Sequence, residues 1–304
     1  MSDTSDKAQK NTEEQIGRRD NFILLLVAVF FLLVTVVAIV KEYRSDWRDV
    51  QAEAKTLILE KFGPEAAAAV PTGIRQIWIP GLHDTVDRCT TCHLGVEWEG
   101  LEDAPQPFTT HPYPELLAAH PLKDFGCTSC HRGQGYAVET ESAHGYVNSE
   151  EWPFMLLGRK VKDMYGLKNR YGAVEISCYN CHRYDQKVLK DLEMISLAKE
   201  VVNRTGCRGC HVIEGEGGNF APKLNEIGHE SGEHFNFKRL HEKHPSIMNW
   251  HLKHFENPQK VSATSFMTRM AMTPKEIKAL SLLMFSWDED EVPRKYMPSM
   301  VVKK

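Results

Sequence analysis

The sequence has no dense run of lysine or arginine, and its net charge is mild. It contains 37 basic and 41 acidic residues, for a formal charge of −4 at pH 7. Because a phosphate-binding face needs basic residues clustered on one surface, the sequence gives no reason to expect nucleic-acid binding. With 304 residues, 42% of them hydrophobic and 26% charged, the chain is long enough for two ordinary domains and has the composition of a folded protein.

The sequence also has no cysteine left over for a disulfide. All eight cysteines fall in four C-x-x-C-H motifs, which we number one to four along the chain. This spacing lets two thiols bond to the two vinyl groups of one haem while the adjacent histidine reaches the iron. The motifs combine Cys89 and Cys92 with His93, Cys127 and Cys130 with His131, Cys178 and Cys181 with His182, and Cys207 and Cys210 with His211.

Paired cysteines of this spacing also occur in zinc ribbons and in thioredoxin-like redox proteins. Neither use requires a histidine after the second cysteine. Histidine fills 14 of 304 positions, so four such coincidences have odds of roughly one in 10⁵ or less. The motifs therefore predict four covalently attached haem c groups, held by the cysteines, with the four motif histidines as iron ligands.

Charge is absent between Phe22 and Val40, a stretch of 19 residues with Thr35 as its polar residue. As a helix the stretch would be about 28 Å long, which matches one hydrocarbon core. It is longer than the apolar region of a signal peptide, and no small-residue cleavage site follows it. We therefore expect an uncleaved transmembrane anchor over residues 21–41, the alternative being an unusually long cleaved signal.

The charges on either side of this segment do not orient it. Basic residues precede it and follow it, at Arg18, Arg19, Lys41, Arg44 and Arg48. Covalent c-type haems, as a general property of that class, are attached on the outer side of energy-conserving membranes. The motifs therefore predict a single-pass protein of a bacterial inner (cytoplasmic) membrane, with residues 1–20 in the cytoplasm and the soluble part in the periplasm.

Spacing also predicts the organisation after the anchor. Apolar residues recur at helical spacing from Tyr43 to Leu57, which predicts an amphipathic helix that is either a plain stalk or a contact for a partner's membrane helix. Motifs one to three share roughly 120 residues, too little chain per haem for an ordinary core, so the porphyrins would form much of the core. The expected segments are a stalk and linker at 42–73, a trihaem region at 74–191, a monohaem domain at 192–290 and a tail at 291–304.

The segment around motif four resembles a class I cytochrome c. Over residues 192–290 it reads as a helix, C-x-x-C-H, the loop "EGEGGNFAPKL", a helix, a methionine and a final helix. The resemblance implies that the carbonyl of Pro222 supports His211 and that Met267 is the sixth ligand of haem four. Thr268 stands where this family usually has proline.

The final helix of this segment has a start signal of its own. Thr273-Pro274-Lys275-Glu276 has the N-cap, first-turn proline and N3 glutamate of a capping box. Met272 then fits a core position before the cap, and Met270 fits packing of the loop, with ligation by Met270 as the alternative. The predicted apolar face of the helix consists of Ile277, Leu280 and Met284.

The sixth ligands of haems one to three are expected among histidines outside the motifs. His111 and His120 each precede a proline, which stops a helix and holds the ring on an extended turn, and His144 precedes a glycine. Three haems and three such histidines make bis-histidine ligation the simplest assignment, and the spacing leaves the pairing open. A methionine could instead serve haem three, the candidates being Met155, Met164 and Met194.

The remaining histidines are unevenly placed. His83 lies near motif one, and six histidines from His229 to His254 crowd the class I-like segment. We expect these six mainly at the surface, with His254 packed beside haem four. The expected fold is mainly α: one N-terminal transmembrane helix, a haem-packed multihaem region with little secondary structure, and an all-α class I cytochrome c-like domain.

The first half of the chain, with "DRCTTCHLG", "HPLKDFGCTSCHRGQGYA" and "AHG", resembles membrane-anchored multihaem cytochrome subunits that accompany cytochrome b-type quinol complexes. The resemblance implies an electron-transfer subunit of a quinol:cytochrome c oxidoreductase, with no catalytic residue of its own. Its partners would be a quinol-oxidising membrane complex of cytochrome b type and a soluble c-type cytochrome or oxidase. An axial methionine raises a haem potential relative to a second histidine, so electrons would leave at haem four.

Three other functions stay open at this stage. The chain could be a self-sufficient quinol dehydrogenase, although such proteins are shorter and lack a class I-like domain. It could also be the cytochrome subunit that donates to a photosynthetic reaction centre, or a freestanding electron carrier. These alternatives differ in what would co-purify with the chain and in whether one haem has an open coordination position.

Overall fold

The computed structural model describes residues 2–79, 85–145, 156–157, 165–167, 172–228, 230, 232–241 and 246–287, with side chains from Gly17 onward. The predictions for His83, Met155, Met164 and the tail at 291–304 lie outside these ranges. Within them the chain is mainly helical, with two small antiparallel sheets. The mainly helical fold expected from the sequence is thus confirmed.

The longest helix, α1, runs from Ser2 to Tyr43 and contains the charge-free stretch. The side chains from Phe22 to Val40 are exposed, and the most apolar window has a mean hydropathy of 3.4. Among the described residues, this is the one helix long and apolar enough to cross a membrane. Its length and composition fit a membrane anchor and also a signal sequence.

The amphipathic helix predicted after this segment is α2, Asp46–Phe62, and the short helix α3, Pro64–Ala69, follows it. Buried residues of α2 include Trp47, Ala54 and Ile58. The buried amide of Gln51 is bonded on both sides, because its Nε2 donates to the carbonyls of Gly73 (2.8 Å) and Thr91 (2.9 Å) and its Oε1 accepts from the Gly73 N–H. Since Thr91 belongs to motif one, α2 is fastened to that motif.

Regular elements are short between the linker and motif three. Strands β1 (Ile77–Ile79) and β2 (Thr85–Asp87) pair antiparallel, with Ile77 opposite Asp87. Among the described residues from 109 to 145, Leu122 is the one buried apolar side chain. This stretch therefore has no apolar core of its own. Its helices are α4 (Pro114–Ala119), α5 (Leu122–Phe125), α6 (Thr128–His131) and α7 (Thr140–Ala143).

The C-terminal part has a conventional helical core. Its elements are α8 (Glu175–His182), α9 (Gln186–Leu189), α10 (Glu193–Thr205), β3 (Val212–Ile213), β4 (Glu216–Gly217), α11 (Ile247–Glu256), α12 (Pro258–Val261) and α13 (Pro274–Met284). Helices α10 and α11 both pack against α13. Fully buried side chains of α10 and α13 include Ile195, Val201 and Leu283.

The predicted start of α13 is confirmed. The Thr273 side chain accepts from the N–H of Glu276 at 3.2 Å, and the Glu276 carboxylate accepts from the N–H of Thr273 at 2.7 Å. Leu280 and Met284 are buried, and Met272 packs against the same core. The capping box thus fixes where α13 begins and directs its apolar face to α10.

The prediction that the C-terminal histidines lie mainly at the surface is wrong for His251. Its side chain is 2% exposed, and its ring lies 5.4 Å from that of Phe235 and 5.5 Å from that of Phe285. Helical spacing places it on the buried face of α11 with Ile247 and Phe255, so the helix face overrides the polarity of the residue. His234 and His241 are exposed as expected, whereas His229 and His244 lie outside the described residues.

Replacement of His251 by phenylalanine should reduce the acid sensitivity of the fold. Burial, followed by the charge of His254, lowers the pKa of His251 from 6.5 to about 3. His251 therefore binds a proton more tightly in the unfolded chain than in the folded one. The stability that the neutral ring contributes is fully present above pH 6.5 and is lost as the pH falls towards 3. From pH 7.5 to pH 4.5 the free energy of unfolding should fall in both proteins. The fall should be roughly 2 to 3 kcal/mol smaller in His251→Phe than in the original chain.

Urea unfolding at the two pH values measures this difference. The exposed His241 provides the matched control, because His241→Phe should leave the pH dependence as it is. Equal pH dependence in the original chain and in His251→Phe would contradict the assignment of His251 as a buried neutral ring.

Candidate functional site

The C-x-x-C-H motifs form tight turns in which the histidine backbone bonds back to the first cysteine. The N–H groups of His93, His131 and His211 donate to the carbonyls of the first cysteines of their motifs at 2.9, 2.9 and 3.0 Å. Motif three lies within α8 and ends that helix. None of the eight cysteines forms a disulfide. All eight thiols are therefore available for attachment of a cofactor.

Each of the first three motif histidines faces a second histidine from elsewhere in the chain. The ring centroids are 6.2 Å apart for His93 and His144, 6.3 Å for His131 and His111, and 6.1 Å for His182 and His120. The ring planes are inclined at 61°, 71° and 77°, which excludes face-to-face stacking. The structure thus places each of the three histidines that the sequence singled out opposite a different motif histidine.

The separation within these pairs fits one iron between two imidazoles. An imidazole nitrogen lies about 2 Å from a bound metal and the ring centre about 1 Å beyond it, so opposed ligands have centres roughly 6 Å apart. A direct hydrogen bond would bring the rings closer together than this. The three pairs therefore have the spacing of axial ligand pairs.

Backbone groups contact Nδ1 of two of the distal rings. Nδ1 of His120 lies 3.0 Å from the Leu116 carbonyl. Nδ1 of His111 lies 3.2 Å from both the carbonyl oxygen and the N–H nitrogen of Tyr113. A ring that donates through Nδ1 presents an unprotonated Nε2 to a metal. The motif histidines His93 and His131 similarly donate to the carbonyls of Pro107 and Leu157.

The surroundings of the paired histidines keep the rings neutral. Burial, followed by the charges of His144 and His131, lowers the pKa of His93 to about 4. Burial is also the first cause that lowers the pKa values of His131, His144 and His182. Because a metal binds the neutral imidazole, this shift favours ligation over protonation.

Motifs one and two meet at their first cysteines. The Sγ atoms of Cys89 and Cys127 and a carboxylate oxygen of Asp87 all lie within 4.8 Å of one another. Asp87 is fully buried at the end of β2. The first attachment points of two motifs are therefore side by side, although 38 positions separate them in the sequence.

Motif two lies close to motif three. Helices α6 and α8, which carry these motifs, pack together. Burial, followed by the charges of Cys181 and Cys127, raises the pKa of Cys130 to about 11. Burial, followed by the charge of Cys130, raises the pKa of Cys178 to about 12. The cysteines of motif two are thus within electrostatic reach of motif one on one side and motif three on the other.

A polar bridge connects motif three to motif four. Tyr179, within motif three, donates to Glu214 at 2.7 Å, and Arg208, within motif four, donates to the other carboxylate oxygen at 3.0 Å. Lys199 donates to the Tyr179 hydroxyl at 3.1 Å. Glu214 occupies the turn between β3 and β4 at φ +54°, where glycine or asparagine is usual. Glu214 thus adopts an unfavourable backbone conformation, and its carboxylate contacts both motifs from there.

Motif four is enclosed by the glycine-rich loop that follows it. Nδ1 of His211 lies 2.7 Å from the Pro222 carbonyl, so the contact implied by the class I resemblance is present. A Cβ on Gly217 would lie 2.2 Å from the His211 carbonyl oxygen, and a Cβ on Gly218 would lie 2.3 Å from the Gly209 carbonyl oxygen. The loop backbone can therefore cover the motif only with glycine at these positions.

Two candidate ligands converge on the fourth motif. The Nε2 atom of His254 lies 3.2 Å from the Sδ atom of Met267, and the charge of His211 acts on His254. Burial, followed by that charge, lowers the pKa of His254 to about 4. Its ring stacks on Trp250 with centroids 4.6 Å apart. The prediction that His254 packs beside the fourth site thus agrees with its position next to Met267.

The residues that join the motifs were not among those predicted from the sequence. Asp87 stands two positions before Cys89, where a buried carboxylate has no periodicity to mark it. Glu214 precedes Gly215 between two short strands, and this was a usable turn signal, because an X-Gly pair there predicts a tight hairpin. At the third motif, His182 lies opposite His120. Met194, the described methionine among the alternative ligands, is 4% exposed and packs in the apolar core.

Comparison with protein families identifies one part of the chain. Residues 195–286 match the family model described as Cytochrome c, within the 192–290 segment delimited by sequence. Searches among curated proteins and solved structures find no match. The four motifs fit covalent haem, because each offers two free thiols and a histidine, and the His211–Pro222 bond orients the ring in the matched part. The chain therefore contains a cytochrome c domain at residues 195–286, and it is an electron-transfer haem protein.

Proposed function

We propose that the chain is a membrane-anchored tetrahaem cytochrome c that carries electrons from a quinol-oxidising partner to a soluble cytochrome or an oxidase. Its soluble part would lie in the periplasm, and a partner of cytochrome b type would supply the electrons. The pairing of His93, His131 and His182 with three distant histidines at 6.1–6.3 Å carries the proposal. Three such pairs beside three C-x-x-C-H motifs favour three haem sites in addition to the one in the cytochrome c domain.

The protein's contribution is to hold these sites in a row. Haem c, when bound, supplies a reversible one-electron couple. Contacts follow the order of the motifs: Cys89 meets Cys127, Cys130 acts on Cys178, and Tyr179 bonds to Glu214 beside motif four. This order supports a linear arrangement from the membrane side of the chain to the cytochrome c domain.

The ligands supply a direction along this row. Bis-histidine ligation at the first three sites would give lower potentials than a histidine and methionine pair at the fourth. Electrons would then enter near motif one, which α2 fastens to the segment that follows α1, and leave at the cytochrome c domain. One apolar helix cannot enclose a quinol by itself, so a membrane-embedded partner would oxidise the quinol.

Gentle detergent extraction tests this proposal most directly. We expect the purified chain to carry the mass of four haems and to retain a partner that contains b-type haem. Purification without any b-type haem would favour a freestanding carrier, and co-purified bacteriochlorophyll would favour donation to a photosynthetic reaction centre. A stable high-spin signal together with quinol oxidation by the isolated chain would replace the proposal with a quinol dehydrogenase.

Removal of one distal histidine should open one haem site. In each of His144→Ala, His111→Ala and His120→Ala, one haem should change from low spin to high spin while the others keep their signals, because the opposite ligand is lost. Electron paramagnetic resonance and absorption spectra measure the change. His241→Ala, at an exposed position, is the control and should leave all spectra unchanged.

The pairing itself requires a second variant. In a chain that also carries Cys89→Ser and Cys92→Ser, haem one would not be attached, so His144→Ala should produce no new high-spin haem, whereas His120→Ala should still produce one. A new high-spin signal from His144→Ala in this background would show that His144 serves a different haem.

At the fourth site, Met267→His should lower the potential of one haem and remove the weak absorption band that marks sulfur ligation to iron. Methionine favours the reduced state relative to histidine, which explains the direction. Met270→His is the matched control three positions away and should leave the band. If Met267→Ala left a bis-histidine signal at the fourth site and His254→Phe removed that signal, His254 would be the ligand instead.

A further inference from the structure

Asp87 is a buried carboxylate that contacts both of the first two motifs. Oδ1 accepts from the N–H of Cys89 at 3.0 Å. Oδ2 accepts from the N–H groups of Cys127 (2.7 Å) and Thr128 (2.8 Å) and from the Thr128 hydroxyl (3.0 Å). Four donors and no exposed surface surround this side chain. A single side chain thus fixes the backbone of motif one relative to that of motif two.

The carboxylate is stabilised by dipoles and not by a cation. Among the described residues, no lysine or arginine forms an ion pair with Asp87, and the neighbouring Arg88 side chain bonds to Gln76 and to the Tyr136 carbonyl. Oδ2 alone accepts three hydrogen bonds, as the oxygen of a carboxylate can. Within the described part of the chain, no paired cation offsets the charge of this carboxylate.

This carboxylate lies beside the first attachment point of each of the two motifs. One of its oxygens lies within 4.8 Å of the Sγ atoms of Cys89 and Cys127. The haems proposed for motifs one and two would therefore both lie within the field of one carboxylate. Because a buried negative charge is weakly screened, it disfavours the addition of an electron nearby and favours the ferric form.

Close packing around Asp87 holds the charge in place. A Cβ on Gly126 would lie 2.8 Å from Oδ2 of Asp87, and a Cβ on Gly135 would lie 2.6 Å from the carbonyl oxygen of Val86. The segments that carry motif two thus close directly over the end of β2. The carboxylate has no room to turn away from the two motifs.

We propose that Asp87 is a positioning residue that sets the reduction potentials of haems one and two together, keeping both low, and fixes the spacing between them. The inference rests on the proposed attachment of haem at these two motifs. It adds to the ligand types a second cause for the low potential at the entry end of the chain. A single buried charge shared by two sites shifts both in the same direction, so the downhill step towards haem four is enlarged.

The test is Asp87→Asn in the full-length chain, with haem content measured by mass and the potentials measured by spectroelectrochemical titration. We expect four haems, positive shifts in the potentials of two haems, and no shift in the other two. Asp124→Asn, at an exposed position three residues before Cys127, should leave all four potentials unchanged. Unchanged potentials in a fully loaded Asp87→Asn protein would overturn the inference.

Thr128→Val provides an independent test if Asp87→Asn does not load haem. Valine keeps the shape of threonine but removes the hydroxyl dipole that offsets part of the negative potential of the carboxylate, whereas the three backbone N–H donors to Asp87 remain. The same two potentials should shift in the negative direction. Absence of this shift, or a positive shift, would overturn the inference, whereas fewer than four haems in the original chain would instead contradict the proposed function.

Discussion

The separation of two imidazoles by about 6 Å, with room for one metal between them, is the constraint on which the middle of this chain depends. Apolar burial cannot explain the order of residues 109–145, where Leu122 is the one buried apolar side chain among those described. Backbone groups instead contact the rings of His111 and His120, which lie opposite their partner rings. Segments with little apolar burial thus hold each ring at the separation that a shared iron would require.

Two kinds of interaction stabilise the chain: polar contacts between successive motifs and apolar packing between helices. Buried hydrogen bonds to Asp87 join motifs one and two, and a bridge through Glu214 joins motifs three and four. Beyond motif three, the helical core of α10, α11 and α13 provides ordinary apolar packing. The chain therefore changes from polar contacts between motifs one and two to apolar packing in the cytochrome c domain. This change coincides with the proposed change from bis-histidine to histidine–methionine ligation.

Much of the site could be predicted because its chemistry is local. The C-x-x-C-H spacing singled out eight cysteines that are free in the structure, and the capping box at Thr273 correctly predicted the start of α13. The class I pattern delimited the segment that the Cytochrome c family model matches. Histidine polarity misled the prediction for His251, because the apolar face of α11 decides its burial and a neutral imidazole can be accommodated among aromatic rings.

By itself, the sequence determined which residues can attach haem, where the apolar anchor or signal lies and which segment forms the cytochrome c domain. Each of these depends on residues within a few positions of one another, so spacing and periodicity are sufficient. Only the tertiary structure decided that His144 faces His93, that His111 faces His131 and that Asp87 contacts two motifs. These partners lie 20 to 51 positions apart, with short helices and loops between them. Such a segment carries no continuous periodicity from which a distance across the fold could be read.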